Sequence, residues 1–177
     1  MNKLEINCII QARMGSERLP GKVLLDLIDG KKSIEFLIEQ LETSKLQQKI
    51  VAISDDGSDD ILFNFLNNLK ISCYRGSKLD VLDRYYHCAK QFSFNHIMRL
   101  TGDNPLIDPE IVNNAIKQYC DSNCDYLTNS IDRTFPNGTE VEIFSFNALE
   151  IAWKNAKKKS EREHVTPYFY NNPKKFK

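Results

Sequence analysis

Net charge is the first thing missing from this sequence: 24 Lys and Arg residues balance 24 Asp and Glu. A neutral chain is a poor electrostatic partner for nucleic-acid backbone or an anionic membrane, so neither is an expected partner. No apolar run approaches the ~18 residues that read as a membrane span. The opening MNKLEINCII is too short and too interrupted for a secretory signal, so the expected location is cytoplasmic. Metal-ligand spacing is missing too. Five cysteines (Cys8, Cys73, Cys88, Cys120, Cys124) are odd in number and scattered, mostly in apolar segments, as buried free thiols would be. His87, His96 and His164 have no spacing that would complete CDSNC into a zinc site. No repeat, low-complexity tract or linker divides the chain. Its 177 residues, 41% of them hydrophobic, suit one domain whose core needs no disulfide or metal staple.

A P-loop is also absent, although one stretch invites the comparison. IIQARMGSERLPGKVL, residues 9–24, carries three cations and two glycines behind an apolar run. The P-loop needs four residues between its glycines and a hydroxyl after the lysine. Here five residues separate Gly15 from Gly21, and Val23 follows Lys22. Any phosphate held by this stretch must be held in another way.

What is present is an alternation of short apolar runs and helical patterns. Strands are expected at Leu4–Ile10, Lys49–Ser54, Ile71–Tyr74 and His96–Leu100, with further ones at Asp125–Thr128 and Val141–Ser145. Between them, SIEFLIEQLETS has a helical stripe of Ile34, Leu37, Ile38 and Leu41. DDILFNFLNNL, Lys78–Lys90, Pro109–Tyr119 and NALEIAWKNAKK also read as helices. DDGSDD is a turn with helix caps, and Asp80 and Asp83 sit where a helix dipole favours anions. Strand then helix, repeated, predicts an α/β fold: an open, mainly parallel sheet with helices on both faces. Right-handed crossovers put the strand C-termini on one edge, where ligands bind at the topological switch point. QARMGSERLPGK, RGS and TGDNPLIDP all fall on that edge.

The first of these loops has the chemistry of an anion cradle. Gly15 and Gly21 permit backbone turns that aim amides at a ligand. Arg13 and Arg18 offer guanidinium forks, Lys22 a point charge and Ser16 a small donor. In the other loop, Asp103 lies just past a strand end beside a glycine, where a carboxylate can hold Mg²⁺ against phosphate oxygens. Asp108, before Pro109 and Glu110, is better explained as a helix N-cap. Ser160 with Glu163 makes a capping box, so that segment can simply start a helix that Pro167 kinks or ends. Tyr168, Phe169 and Tyr170 read as core or dimer contacts.

Four segments together, IIQARMGSERLPGKVL, YRGSKLDVLDRYY, MRLTGDNPLIDP and SEREHVTPYFYNNP, resemble the cytidylyltransferase family, most nearly its spore coat polysaccharide biosynthesis branch. The match runs from Ile9 to Pro173. The resemblance implies the Rossmann-like nucleotide-diphospho-sugar transferase fold, with a mixed sheet. It implies CTP and Mg²⁺, a sugar substrate of the nonulosonic-acid type, release of pyrophosphate in surface polysaccharide or glycan synthesis, and commonly a homodimer. By resemblance, Ala12, Arg13, Met14, Gly15 and Ser16 line the nucleotide, with backbone amides near base and phosphates. Arg13 and Lys22 neutralise the triphosphate as the catalytic cations, Arg18 adds charge, and Arg75 lies near base and ribose. Asp103 matches the metal-binding aspartate, and Glu142, Glu163 and His164 are candidates for the sugar side.

One departure bears on activity. The family places a second metal-binding aspartate beyond REHVTPYFY, and nothing past Pro173 supplies that segment. The expectation is a single nucleotidyltransferase domain, residues 1–177, shortened at its C-terminus. Two alternatives stay open: a nucleotidyltransferase using another NTP or a sugar 1-phosphate, and a non-catalytic nucleotide-binding fragment.

Overall fold

The run INCIIQ becomes β1 (Ile6–Gln11), buried at every position but the last. A computed structural model describes residues 4–16 and 18–177. After β1 the chain forms a small hairpin of β2 (Asp26–Ile28) and β3 (Lys31–Lys32), then α1 (Ser33–Gln40). Next come β4 (Lys49–Ser54), α2 (Asp60–Asn68), β5 (Cys73–Gly76), α3 (Val81–Gln91), β6 (His96–Thr101) and α4 (Pro109–Ser122). The last part holds β7 (Tyr126–Thr128), β8 (Glu142–Ser145), α5 (Phe146–Asn155), α6 (Lys159–His164) and α7 (Pro167–Tyr170). The β2–β3 hairpin, with no alternating apolar run to announce it, has no counterpart among the expected elements.

Six strands pair in the order β5-β4-β1-β6-β8-β7. The first four are parallel, β8 runs antiparallel to β6, and β7 antiparallel to β8. The sheet is therefore mixed and mainly parallel, as expected. Strand residues alternate between two cores, since successive side chains point to opposite faces. Ile6, Cys8 and Ile10 of β1 pack with Ile34 and Leu37 of α1, Leu62 of α2, and Val112 and Ile116 of α4. Ile9 faces the other way, with Leu82 and Tyr85 of α3, Leu149 of α5 and Phe169 of α7. Each apolar side chain fully buried this way stabilises the fold by ~1.5–3 kcal/mol. Among the described residues, no helix is long and apolar enough to cross a membrane.

Helix ends follow the side chains that satisfy their free amides. Asp108 caps α4, accepting from Glu110 N at 2.8 Å, with Pro109 at the first helical position. Asp80 caps α3, accepting from Asp83 N at 2.9 Å. The capping box near the C-terminus is shifted from the expected Ser160/Glu163. Lys158 is the N-cap of α6, and its amide donates to Glu161 at 3.3 Å. The helix then ends at His164, because Val165 adopts φ 70°, outside the helical region. Pro167 thus opens α7 rather than kinking α6.

The third strand also differs from its expected span. Pairing of Val51 with Cys73 through Ser54 with Gly76 places Arg75 and Gly76 inside β5, not in a loop after it. Crossovers leave β1 toward β4 on one side and reach β6 on the other. The switch point lies at the C-terminal ends of β1 and β6, where open α/β sheets bind ligands.

Candidate active site

The two loops singled out by charge meet at that switch point. A cavity of about 150 Å³ is lined by Gln11, Ala12, Arg13, Ser16, Lys22, Val23, Thr101 and Asp103. Lys22 Nζ makes an ion pair with Asp103 Oδ2, joining residues 81 positions apart. Both side chains keep solvent access, 30% for Lys22 and 39% for Asp103. Burial alone would push the Asp103 carboxyl up. Hydrogen bonds from Lys22 and Thr101 outweigh it and hold the group below the ordinary carboxylate value.

Local backbone geometry explains how the loop reaches across. Gly21 sits at φ 70°, a left-handed conformation that favours glycine, and its amide bonds back to Met14 O at 2.9 Å. That turn starts the short 3₁₀ segment Lys22–Leu24 and swings Lys22 toward β6. Gly102 secures the opposite wall. Its amide donates to Gln11 O at 2.7 Å. A Cβ there would stand 3.0 Å from both Ala12 Cβ and Ile34 Cδ1. Only a residue without a side chain lets the β1 and β6 loops approach this closely.

A buried carboxylate absent from the sequence-based reading pins the loop from below. Asp59 is 1% exposed and accepts from Met14 N at 2.7 Å, Ser54 N at 3.0 Å and Ser54 Oγ at 2.7 Å. Three donors satisfy the charge that burial would otherwise penalise. The DDGSDD stretch signals a turn and caps; that Asp59 reaches a loop 45 residues away is a tertiary fact.

The expected backbone cradle needs correcting. The Ala12 amide is bonded to Ala52 O, the Met14 amide to Asp59, and the Ser16 amide to Met14 O. Those three amides hold the loop in shape, which leaves the Arg13 and Gly15 amides, unbonded among the described residues, as what remains of the expected cradle. Gly15 is not in a positive-φ conformation either, so its freedom is not used in the way Gly21's is. The loop's side chains, with Arg13, Ser16 and Lys22 on the cavity wall, carry the polarity.

Other expected site residues lie elsewhere. Met14 packs against the core, and Arg18 is exposed and outside the cavity lining. Arg75 pairs with Asp60 at 2.6 Å, donates to Asp56 O at 3.3 Å and lies over the Phe63 ring, because its strand position aims it at α2. Glu142 is 5% exposed and buried against Arg99 (2.5 Å) and the Tyr126 hydroxyl (2.7 Å), so it is no open sugar contact. Glu163 is half-buried and His164 exposed on α6, both outside the cavity lining. Gln11 and Thr101 were missed. They sit at paired strand ends, a position that sequence periodicity does not flag as a site.

A second, wider hollow of about 580 Å³ adjoins the first through Asp103. It is walled by residues 103–106 and 136–139. The smaller cavity is below the ~300 Å³ of ordinary small-molecule sites and fits a phosphate group. The two together, joined at one carboxylate, offer room for a larger ligand. Among the described residues no cluster of three or more His, Cys, Asp or Glu side chains could hold a metal by itself.

Comparison with known proteins agrees with this architecture. The family model for cytidylyltransferases matches residues 7–177. The chain is 45% identical over 175 residues to Uncharacterized protein MJ1063 of Methanocaldococcus jannaschii, covering 98% of this chain and 70% of that protein. It is 37% identical to spore coat polysaccharide biosynthesis protein SpsF of Bacillus subtilis, covering 96% of this chain and 71% of that one. A solved cytidylyltransferase from Leptospira borgpetersenii superposes with a TM-score of 0.91 at 37% identity, over 98% of this chain and 74% of that structure. By fold, by the loops that meet in its cleft and by sequence, this chain belongs to the cytidylyltransferase family of nucleotidyltransferases.

Proposed function

We propose that the protein activates a sugar with CTP, transferring the cytidylyl group and releasing pyrophosphate, as a step in surface polysaccharide or glycan synthesis. One observation carries the reading: a cationic loop and an acidic loop converge at the switch point, joined by Lys22 and Asp103 across a cavity of phosphate size. The family match supports CTP as donor, and the relative's role in spore coat polysaccharide synthesis supports a sugar as acceptor.

The reaction is attack of a sugar hydroxyl on the α-phosphate. The protein's task is alignment and stabilisation of the growing negative charge. Arg13 and Lys22 would hold the triphosphate oxygens, and Ser16 would donate one more hydrogen bond. Asp103, an exposed carboxylate beside the Thr101 hydroxyl, suits Mg²⁺. That ion is commonly bound by one or two carboxylates, substrate phosphates and water, so a single protein carboxylate is a sufficient anchor. Bound there, Mg²⁺ would supply charge neutralisation at the α- and β-phosphates. Lys22 would then exchange its bond to Asp103 for one to the nucleotide. The acceptor would occupy the wider hollow that shares Asp103.

The test is a panel of CTP, UTP, GTP and ATP with Mg²⁺, read as thermal stabilisation. It is followed by pyrophosphate release with CTP and a series of nonulosonic acids and other sugars. A nucleotide at 100 times its Kd adds ~2.7 kcal/mol of stability. A shift with GTP alone and none with CTP would overturn the choice of donor. Stabilisation by CTP without pyrophosphate release for any sugar would favour a non-catalytic nucleotide-binding role.

A further inference from the structure

A polar row crosses one face of the sheet beside the cleft. Tyr126 on β7 donates to Glu142 on β8 at 2.7 Å. Glu142 is directly paired in register with Arg99 on β6 and accepts from its Nη1 at 2.5 Å. Arg99 Nη2 donates to Gln11 Oε1 at 3.3 Å, at the last residue of β1. Gln11 lines the cleft; Glu142 is buried behind it and Arg99 largely so, its side chain 16% exposed.

A buried ion pair is a weak source of stability, because desolvation offsets its Coulomb gain. Its position suggests another use. A guanidinium is donor-only, so it accepts just one orientation of a neighbouring amide. With its oxygen held by Arg99, the Gln11 side chain has its NH₂ left over, and that group makes no hydrogen bond among the described residues. Gln11 shares the cavity wall with Arg13, Ser16 and Lys22. We propose that Gln11 donates a hydrogen bond to a phosphate oxygen of the bound nucleotide, with Arg99 and Glu142 as positioning residues that lock the amide donor-side out. The inference rests on the nucleotide-binding reading above and deepens it.

The test is calorimetric binding of CMP, CTP and pyrophosphate with Mg²⁺, alongside unfolding midpoints. Losing a hydrogen bond to a charged group weakens binding roughly 10- to 100-fold, which is the loss expected for CTP in Gln11→Met, beside a modest fall in its unfolding midpoint from the acceptor taken from Arg99. Gln11→Glu keeps an acceptor for Arg99 and offers the ligand lone pairs instead of N–H groups, so it binds CTP more weakly than Gln11→Met. A matching loss for CMP places the contact at the α-phosphate; a loss for pyrophosphate but not CMP places it further along the chain. CTP affinity within twofold of wild type in both Gln11 variants overturns the proposal. The pair Arg99→Met/Glu142→Gln removes the lock without stranding a buried charge. Adding Gln11→Met to that pair then costs less than it does in the wild type; strictly additive losses refute the positioning role. Should the wild type bind another nucleotide in place of CTP, the same comparison is made with that nucleotide and only the cytidylyl assignment falls. If no nucleotide binds, both fall.

Discussion

Removing Lys22 separates two roles that one ion pair combines. In the folded protein Lys22 bonds Asp103, and both side chains are about a third exposed. Solvent screens such a pair, so its loss costs the fold ~1 kcal/mol or less. For a chain of this size that is a fall of ~2–4 °C in Tm. Function is another matter. A preorganised charge contact to a reacting phosphate contributes ~3–4 kcal/mol to the barrier, or about 100- to 1,000-fold in rate. The expected outcome is therefore a nearly unchanged melting curve with a 100- to 1,000-fold loss in kcat. Melting is followed by circular dichroism, and turnover by pyrophosphate release with CTP, Mg²⁺ and the sugar that gives most release in the wild type. Asp103→Asn should lose turnover on the same scale, since it removes the anionic anchor while keeping the shape. Turnover within threefold of wild type in both variants would refute the assignment. A Tm fall above ~8 °C in Lys22→Ala would show that the pair is structural.

Three other outcomes are expected. The Asp103 carboxyl titrates below the ordinary carboxylate value, and in Lys22→Ala its midpoint rises, as a carbon-13 NMR titration would show. Because the folded value is the lower one, this group's contribution to stability is full at neutral pH and is lost only as pH falls through that value. Gly102→Ala forces a methyl against Ala12, Ile34 and the Gln11 carbonyl; overpacking of this kind costs ~1–3 kcal/mol, read from denaturant unfolding, and lowers nucleotide affinity by parting the two loops. Arg84 is 1% exposed, none of its guanidinium nitrogens has a hydrogen-bond partner among the described residues, and burial lowers its pKa. Replacing it with Met, which keeps the stem against Gly76, should leave Tm unchanged or raise it, since an unpaired buried charge costs several kcal/mol. A destabilisation above ~2 kcal/mol would refute that account.

The order of strands and helices was legible because it is written in local periodicity. KIVAIS and HIMRL are short, apolar and bounded by polar turns, and each became a strand at or within one residue of its expected span. Asp108 was readable as a cap because a cap is settled within three residues of chain, whereas Asp80, expected as an anion in the first turn of a helix from Lys78, turned out to be the cap of α3. Arg13, Ser16, Lys22 and Asp103 stood out for a similar reason: cations, glycines and a carboxylate at strand ends carry chemistry wherever the strands finally lie.

Register and side-chain direction were not legible, and they decided the remainder. A shift of two residues in β5 drew Arg75 into the strand and onto Asp60. Antiparallel pairing of β8 set Glu142 opposite Arg99, turning an expected sugar contact into part of a buried row. The same packing brought Asp59 beneath Met14 and left Gln11 on the cavity wall. Sequence alone determined the α/β class, the edge that carries the site and the charged groups on it, since each follows from neighbours in the chain. Which of those groups face one another was decided only by strand pairing, because pairing joins residues 40 to 90 positions apart whose separation no local pattern encodes.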